Sequence, residues 1–363
     1  MADHTRRVVV FGAGASHGSR DPRPPLGAEL HVYVRKYLCA AWNELGCLEE
    51  GAEFPTDRIR RELRARLDDT QSFETLVSKL IRAPREQLFL KKLNLLMAYA
   101  LTPPVADDPR ADGAFEETRD VYDRFLAATV HSPQELESAT FVTFNYDCLL
   151  ERAICRCLGP VPLQGEGRCL CKHVDCQLTD NSGGVEVLKP HGSINWVADI
   201  LQGDGSIAED EEIPVVATLS AGGVFEWKKI RAVVSPIGQG HEEIVIAHYA
   251  SEKRPQINPG TLSKIRDLAR ARIEEAGFIT IIGLHLPADL VEDPFLYELL
   301  EAMKRVKATG QAQVDYINLD PSETQKARSS FGFNVLKKTF DEYVAQCQDE
   351  SKPDKRRTPG ALN

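Results

Sequence analysis

The sequence predicts an α/β protein: a parallel sheet of about six strands, helices on both of its faces, and an all-helical lobe inserted early in the chain. Three observations predict it. Short, largely apolar runs alternate with helix-period stretches, the pattern of strands covered on both sides. The first of these runs ends in a glycine-rich turn. Residues 55–130 carry only helix-period stripes.

In chain order, Val8, Val9, Val10 and Phe11 close a strand predicted over Arg7–Phe11, and Gly12-Ala13-Gly14-Ala15-Ser16 follows. Pro22 to Pro25 predict a stiff loop, because each proline ring fixes its own backbone angle. Leu30, Val34, Tyr37, Leu38, Ala41 and Leu45 place a helix over about Gly27–Leu45. The lobe shows four stripes. They are Ile59, Leu63 and Leu67; Phe73, Leu76, Val77, Leu80 and Ile81; Leu88, Phe89, Leu93 and Leu96; and Val121, Tyr122, Phe125 and Leu126. Strands are then expected at Thr140–Phe144, Val185–Leu188 and Ala232–Ser235. Leu262, Ile265, Leu268, Ile273 and Ala276 mark a helix expected to stop at Gly277, a favourable residue beyond a helix end. A strand at Phe278–Ile282, a helix from about Pro294 to Lys307 and a last strand at Val314–Leu319 complete the pattern.

This alternation defines a Rossmann-like core split by the lobe. Residues 1–54 form its first part, 55–135 the lobe, 136–345 the remainder, and 346–363 a tail expected to lack fixed structure. The tail is polar from Ser351 on and holds two prolines.

Composition narrows the class. The chain has 363 residues, 42% hydrophobic and 27% charged, the profile of an ordinary globular protein. A net charge of −10 opposes general nucleic-acid binding, which needs a basic footprint. The basic stretch Lys352–Arg357 reads as a solvated end. There is no secretory leader pattern and no run near the ~20 apolar residues that span a bilayer. A cytoplasmic location without membrane contact is therefore expected. Nine cysteines, an odd number, do not resemble a disulfide framework.

A strand ending in Gly-x-Gly presents backbone N–H groups at a helix start, where a phosphate is favoured. The full dinucleotide fingerprint needs a third glycine where this chain has His17, with Gly18 one place late. The turn alone thus supports two readings: a pyrophosphate cradle, or a tight bend that lets elements pack closely.

Two later strings join it. Gly12–Ser16, Thr143-Phe144-Asn145-Tyr146-Asp147 and His191-Gly192 resemble, in order, the Gly-Ala-Gly-x-Ser, Thr-Gln-Asn-Ile-Asp and His-Gly strings of sirtuins. Lys189-Pro190-His191-Gly192-Ser193-Ile194-Asn195-Trp196, Phe73-Glu74-Thr75-Leu76 and Ile281–Pro287 resemble the divergent bacterial branch of that family. The resemblance spans roughly residues 7–340. Phe144 stands where the family carries Gln. The Gly-Ile-Pro-Asp-Phe-Arg loop of deacylating sirtuins is reduced here to Pro24-Pro25-Leu26-Gly27. Their paired cysteines after the His-Gly string are also missing, since none lies between His191 and Cys347. The resemblance therefore implies NAD as substrate and its hydrolysis in antiphage defence, more than protein deacylation.

Breaking the nicotinamide–ribose bond builds positive charge on the sugar, as in glycoside cleavage. The leaving group is already cationic and needs no acid. Asn145 can hold the ribose and position water, because its amide both donates and accepts. His191 can deprotonate water or a ribose hydroxyl. Asp147 matches the position that contacts nicotinamide in sirtuins, and a carboxylate there also stabilises a developing cation. Gly12, Ala13, Gly14, Ser16 and Ser193 are the expected phosphate and ribose contacts, and His17 is a further candidate for phosphate. Gly283, Asn318 and Asp320 end later strands, where open sheets bind ligands, and are candidates to meet the adenosine. Structural roles compete at each position. Asn after a strand forms turns, Asp147 can cap the next helix, and a strand-end glycine or asparagine can simply turn the chain.

Cys155, Cys157, Cys169, Cys171 and Cys176, with His173, fall within a short stretch. Four such ligands suit zinc, but no Cys-x-x-Cys occurs and scattered free thiols fit as well, so no metal is assigned. An unchecked NAD hydrolase would starve its own cell. Gating by a homo-oligomer or a second protein is therefore expected, with the lobe as its surface. Systems resembling this one pair the sirtuin-like chain with a separate ATPase or a nucleic-acid-guided protein.

Overall fold

The computed structural model describes residues 6–17, 24–26, 29–44, 56–70, 73–81, most of 93–101, 120–130, 132–158, 174–175, 185–199, 242–246, 259–288 and 293–350. Its centre is strand β1 (Arg6–Phe11). On one side β1 pairs with β2 (Ala139–Thr143) and on the other with β7 (Ala276–Ile282), both parallel. Outside them lie β4 (Val185–Leu188) and the short β3 (Val174–Asp175) on one edge, and β8 (Gln313–Ile317) and β9 (Asn334–Leu336) on the other. The order is β3-β4-β2-β1-β7-β8-β9, with every pairing parallel. This is the expected Rossmann-like α/β sheet, with seven strands where about six were expected. A separate antiparallel pair, β5 (Gly192–Asp199) with β6 (Glu242–Ile246), had no sequence signal.

The strands read as continuous apolar runs because side chains alternate between two buried faces. Val9, Phe11 and Phe141 point into one hydrophobic cluster. Val8, Val10 and Val142 point into the other. The first face is covered by helices α1 (Ala13–His17), α2 (Leu30–Glu44), α3 (Thr56–Asp69), α4 (Phe73–Ile81), α5 (Val121–Thr129), α6 (Pro133–Ser138) and α7 (Leu149–Leu158). Val34, Leu38, Leu63, Leu67, Leu76, Leu80, Tyr122 and Phe125 all belong to the cluster that includes Phe11. The helical segment therefore packs directly on the sheet. Helices α8 (Pro259–Glu274) and α9 (Pro294–Ala308) cover the second face, and α10 (Pro321–Ser329) adds Ala327 there. Helix α11 (Phe340–Glu350) returns to the first face, where the ring of Phe340 lies 5.8 Å from that of Phe11.

Several expectations change. The helix expected to stop at Gly277 ends at Glu274, and Ala276 and Gly277 already belong to β7. Ala276 is fully buried against the same cluster as the helix, so its apolar character continued the stripe across the element boundary. Val314–Leu319 is not the last strand, because β9 follows. Three residues with one aromatic neighbour give too short a run to read. Helix α11 continues to Glu350, into the segment expected as tail. The strand expected at Ala232–Ser235 lies outside the described residues.

One ion pair fastens α8 across the sheet. Arg272 donates twice to Glu186 of β4, at 2.8 and 2.9 Å, and Thr140 donates at 2.6 Å. Burial alone would raise the Glu186 carboxyl, but the Arg272 and Thr140 hydrogen bonds outweigh it and hold the group below its ordinary 4.5. A lowered native value means that this stabilisation is complete above about 4.5 and is lost as pH falls through the lower native value. Glu186→Gln is expected to cost about 1–3 kcal/mol at neutral pH. In urea titrations the gap from wild type should close as pH drops below that range.

Candidate functional site

The chain turns from β1 into α1 at the glycines, and backbone contact explains them. Gly12 N–H donates to Ile282 O at 3.0 Å, and Gly14 N–H donates to Gly283 O at 2.9 Å. A Cβ on Gly12 would lie 2.4 Å from Leu284 Cα, and one on Gly14 would lie 2.9 Å from Gly283 O. Gly283 itself has φ +60°, and a Cβ there would lie 2.3 Å from Ala15 N. Two of the N–H groups expected to cradle phosphate are thus committed to the end of β7. Close packing is what demands glycine at these positions. Gly283 reaches the site as the surface against which the turn rests.

Beside this turn is a small cavity at the carboxyl edge of the sheet. Ala13, Ser16, Pro24, Pro25, Asn145 and Asp147 help line it, with Leu30, Leu101, Phe144 and Tyr146. Asn145 joins the two loops. Its Nδ2 donates to Gly12 O (3.0 Å), and also approaches Ser16 Oγ (2.8 Å) and Tyr122 Oη (3.2 Å). Gly12 O can only accept, so this contact fixes which end of the amide faces the turn. The other end of the amide, Oδ1, can only accept.

Asp147 is buried and lines the same cavity. Its Oδ1 accepts from Leu149 N at 3.1 Å at the start of α7, so helix capping and cavity lining coexist. Burial raises its carboxyl above the ordinary value, while the nearby Lys189 charge, the Leu149 N–H and the Ser16 hydroxyl pull the other way. The result is a more basic carboxylate than one in water. Lys189 is itself buried. It donates to the Asp147 backbone carbonyl (2.5 Å) and to Glu151 Oε1 (2.8 Å), and so fastens the 145–147 loop to the 189–193 turn. Ile194 N and Ser193 Oγ both donate to Tyr146 O, at 3.0 and 3.3 Å, and add to this clasp.

His191 is placed differently from the expectation. It is on the same sheet edge but is only 1% exposed and does not line the cavity. Its ring packs edge-on against Phe144 (4.9 Å between centroids) and near Tyr146 (6.4 Å), and its Nε2 lies 3.5 Å from the buried Asp293 Oδ2. The physical reason is Phe144. Its apolar ring lines the cavity and packs on the imidazole. Ser193 is likewise buried and bonded to Tyr146 O, away from the cavity lining.

The remaining candidates serve the backbone. Asn318 donates to Tyr316 Oη (2.9 Å) and accepts from Asp320 N (3.0 Å). Asp320 caps α10 through Ser322 N (2.8 Å) and Glu323 N (3.2 Å). His17 Nδ1 meets Pro24 O at 3.1 Å. Among the described residues, no group of three or more His, Cys, Asp or Glu is placed to hold a metal. Cys169, Cys171, His173 and Cys176 lie outside the described residues. Among the described residues no helix is long and apolar enough to cross a membrane.

Sequence reasoning missed Tyr122, Lys189, Glu151 and Asp293. Tyr122 was legible as core, yet a tyrosine on a buried stripe must find a partner for its hydroxyl, and that was the available signal.

A Rossmann-like parallel sheet with an amide and a carboxylate at its carboxyl edge defines the class. No protein-family model matches the chain, and no curated protein matches it. Among solved structures it is similar to a mutant Sir2 homologue in complex with ADP-ribose, at 15% identity over 96% of this chain and 92% of that one, TM-score 0.39. It is also similar to a Sir2 homologue–NAD complex, at 14% identity over 96% and 90%, TM-score 0.42. A third, described under the mechanism and regulation of Sir2 enzymes, shares 13% identity over 96% and 92%, TM-score 0.41.

Proposed function

We propose that this chain is an NAD hydrolase that cleaves the nicotinamide–ribose bond to give nicotinamide and ADP-ribose. The observation that carries the reading is Asn145, which lines the cavity and is pinned by its NH2 to the Gly12 carbonyl, with its amide oxygen as an acceptor. An acceptor held there can take a hydrogen bond from water or from a ribose hydroxyl and aim that oxygen at the sugar carbon. Asp147 supplies negative charge on the same wall as the sugar becomes cationic. The two sides of the reaction balance. Water adds to the ribose carbon, nicotinamide leaves with the bonding pair that neutralises its ring, and one proton is released.

His191 acts in this arrangement by bracing Phe144 and Tyr146. Direct proton transfer from its ring requires one of those side chains to swing aside. The ordered resemblance to the divergent sirtuin branch extends the proposal to an NAD-depleting effector of antiphage defence, gated by an oligomer or a second protein.

Purified protein incubated with NAD, alone and with an acyl-lysine peptide, tests the reading. Nicotinamide and ADP-ribose in equal amounts without peptide are the expected products. Cleavage that requires the peptide would make the chain a deacylase. Tight ADP-ribose binding with no turnover under any gate would make it a nucleotide-binding regulatory subunit.

A further inference from the structure

The polar centre of the site is completed from the helical segment, by a residue outside all the sirtuin-like strings. Tyr122 lies on α5 and is 1% exposed. Its hydroxyl is 2.8 Å from Ser16 Oγ and 3.2 Å from Asn145 Nδ2. We propose that Tyr122 is a positioning residue, whose hydroxyl fixes Ser16 and, directly and through it, the orientation of the Asn145 amide.

The hydrogens at this point are few. Asn145 Nδ2 carries two and faces Gly12 O, Ser16 Oγ and Tyr122 Oη. Gly12 O can only accept, so it takes one of them. The other goes to the pair of hydroxyls, which share a hydrogen bond of their own. Burial, and then the charge of Asp147, hold its phenol well above the ordinary 10, so the proton stays in place. Removing the phenol oxygen leaves the buried Ser16 hydroxyl without that partner and lets it turn relative to the Asn145 amide.

Tyr122 is itself held firmly. Asp120 caps α5 by accepting from Tyr122 N (2.9 Å) and Asp123 N (3.0 Å), and the Asp123 carboxylate accepts in turn from Asp120 N (2.9 Å). Arg152 of α7 donates to Asp120 at 2.6 Å. The Tyr122 ring meets Phe11 and Phe340 edge-on, at 5.2 and 5.5 Å. A hydroxyl fixed this rigidly beside the reacting groups constrains them without touching substrate.

The proposal rests on the hydrolase reading, and its test separates the two. Tyr122→Phe removes one oxygen. It is expected to lower kcat for NAD about tenfold while KM stays within about twofold. Combined with Ser16→Ala, the losses should be non-additive. The side-chain NH2 resonances of Asn145, followed by NMR, should shift and exchange faster in Tyr122→Phe. If wild type cleaves no NAD, the hydrolase reading fails and the NMR comparison alone decides the positioning. Unchanged kcat, or an Asn145 NH2 that does not move, overturns the proposal. Should Tyr122→Phe not fold, 3-fluorotyrosine at position 122 keeps the shape and alters only the hydroxyl's acidity. It must move the Asn145 resonances, and unmoved resonances overturn the proposal equally.

Discussion

Asn145→Ala is expected to release nicotinamide from NAD at least about a hundredfold more slowly than wild type, read by chromatography of the products. The substitution deletes an amide that lines the cavity and ties Gly12 to Ser16. It leaves buried polar partners unmatched, at a stability cost of about 1–3 kcal/mol. The fold should survive that loss, so activity should fall much further than the fraction folded. Asn145→Asp makes the sharper comparison. It keeps the shape but sets a carboxylate oxygen against the Gly12 carbonyl, two acceptors without a hydrogen between them. It should be both inactive and less stable than the alanine variant in urea. Full turnover by either protein would remove Asn145 from the reaction.

Gly283→Ala should be the most damaging single methyl in the chain, destabilising by at least about 3 kcal/mol or preventing soluble expression. The added carbon would sit 2.3 Å from Ala15 N and 2.5 Å from Gly14 C, both backbone atoms that cannot rotate away. Gly310 provides the control. It also has a positive φ, +75°, but nothing lies within 4 Å of a Cβ there. Gly310→Ala should therefore cost only the left-handed strain, about 1–2 kcal/mol. Urea titration of both variants separates steric collision from backbone preference. Equal losses would show that the glycine turn has room that the geometry denies it.

Much of the fold was legible because it rests on burial. Val8–Phe11 and Phe278–Ile282 are apolar runs between turn residues, and they emerge as the two central strands β1 and β7. The Pro294 helix was legible from its stripe, and Asp293 caps it through Leu296 N at 3.1 Å. The antiparallel β5–β6 pair was not legible, because its first strand begins inside a string read for its chemistry. Ala276 misled for a physical reason: one buried surface receives both a helix and the strand after it.

The site divided in the same way. Asn145 and Asp147, from one of the quoted strings, both line the cavity. The glycines were read as possible ligands and serve first as contact points between backbones. His191 could not be placed from spacing, because whether an imidazole meets solvent depends on the side chain in front of it. Asn318 and Asp320 show the limit of strand-end logic. Position at the carboxyl edge is topological, but the partners of a polar side chain are local, and here they are Tyr316 and the first turn of α10.

Strand β1 is made first during translation, yet its two neighbours come much later in the chain, and the bend after it rests on Gly283. A ribosome must have delivered most of the polypeptide before that bend has anything to settle against. Chains lacking β7 and Gly283 are therefore expected to lack the backbone contacts that hold the glycine turn. Any activity that depends on this bend is expected only of chains that include β7.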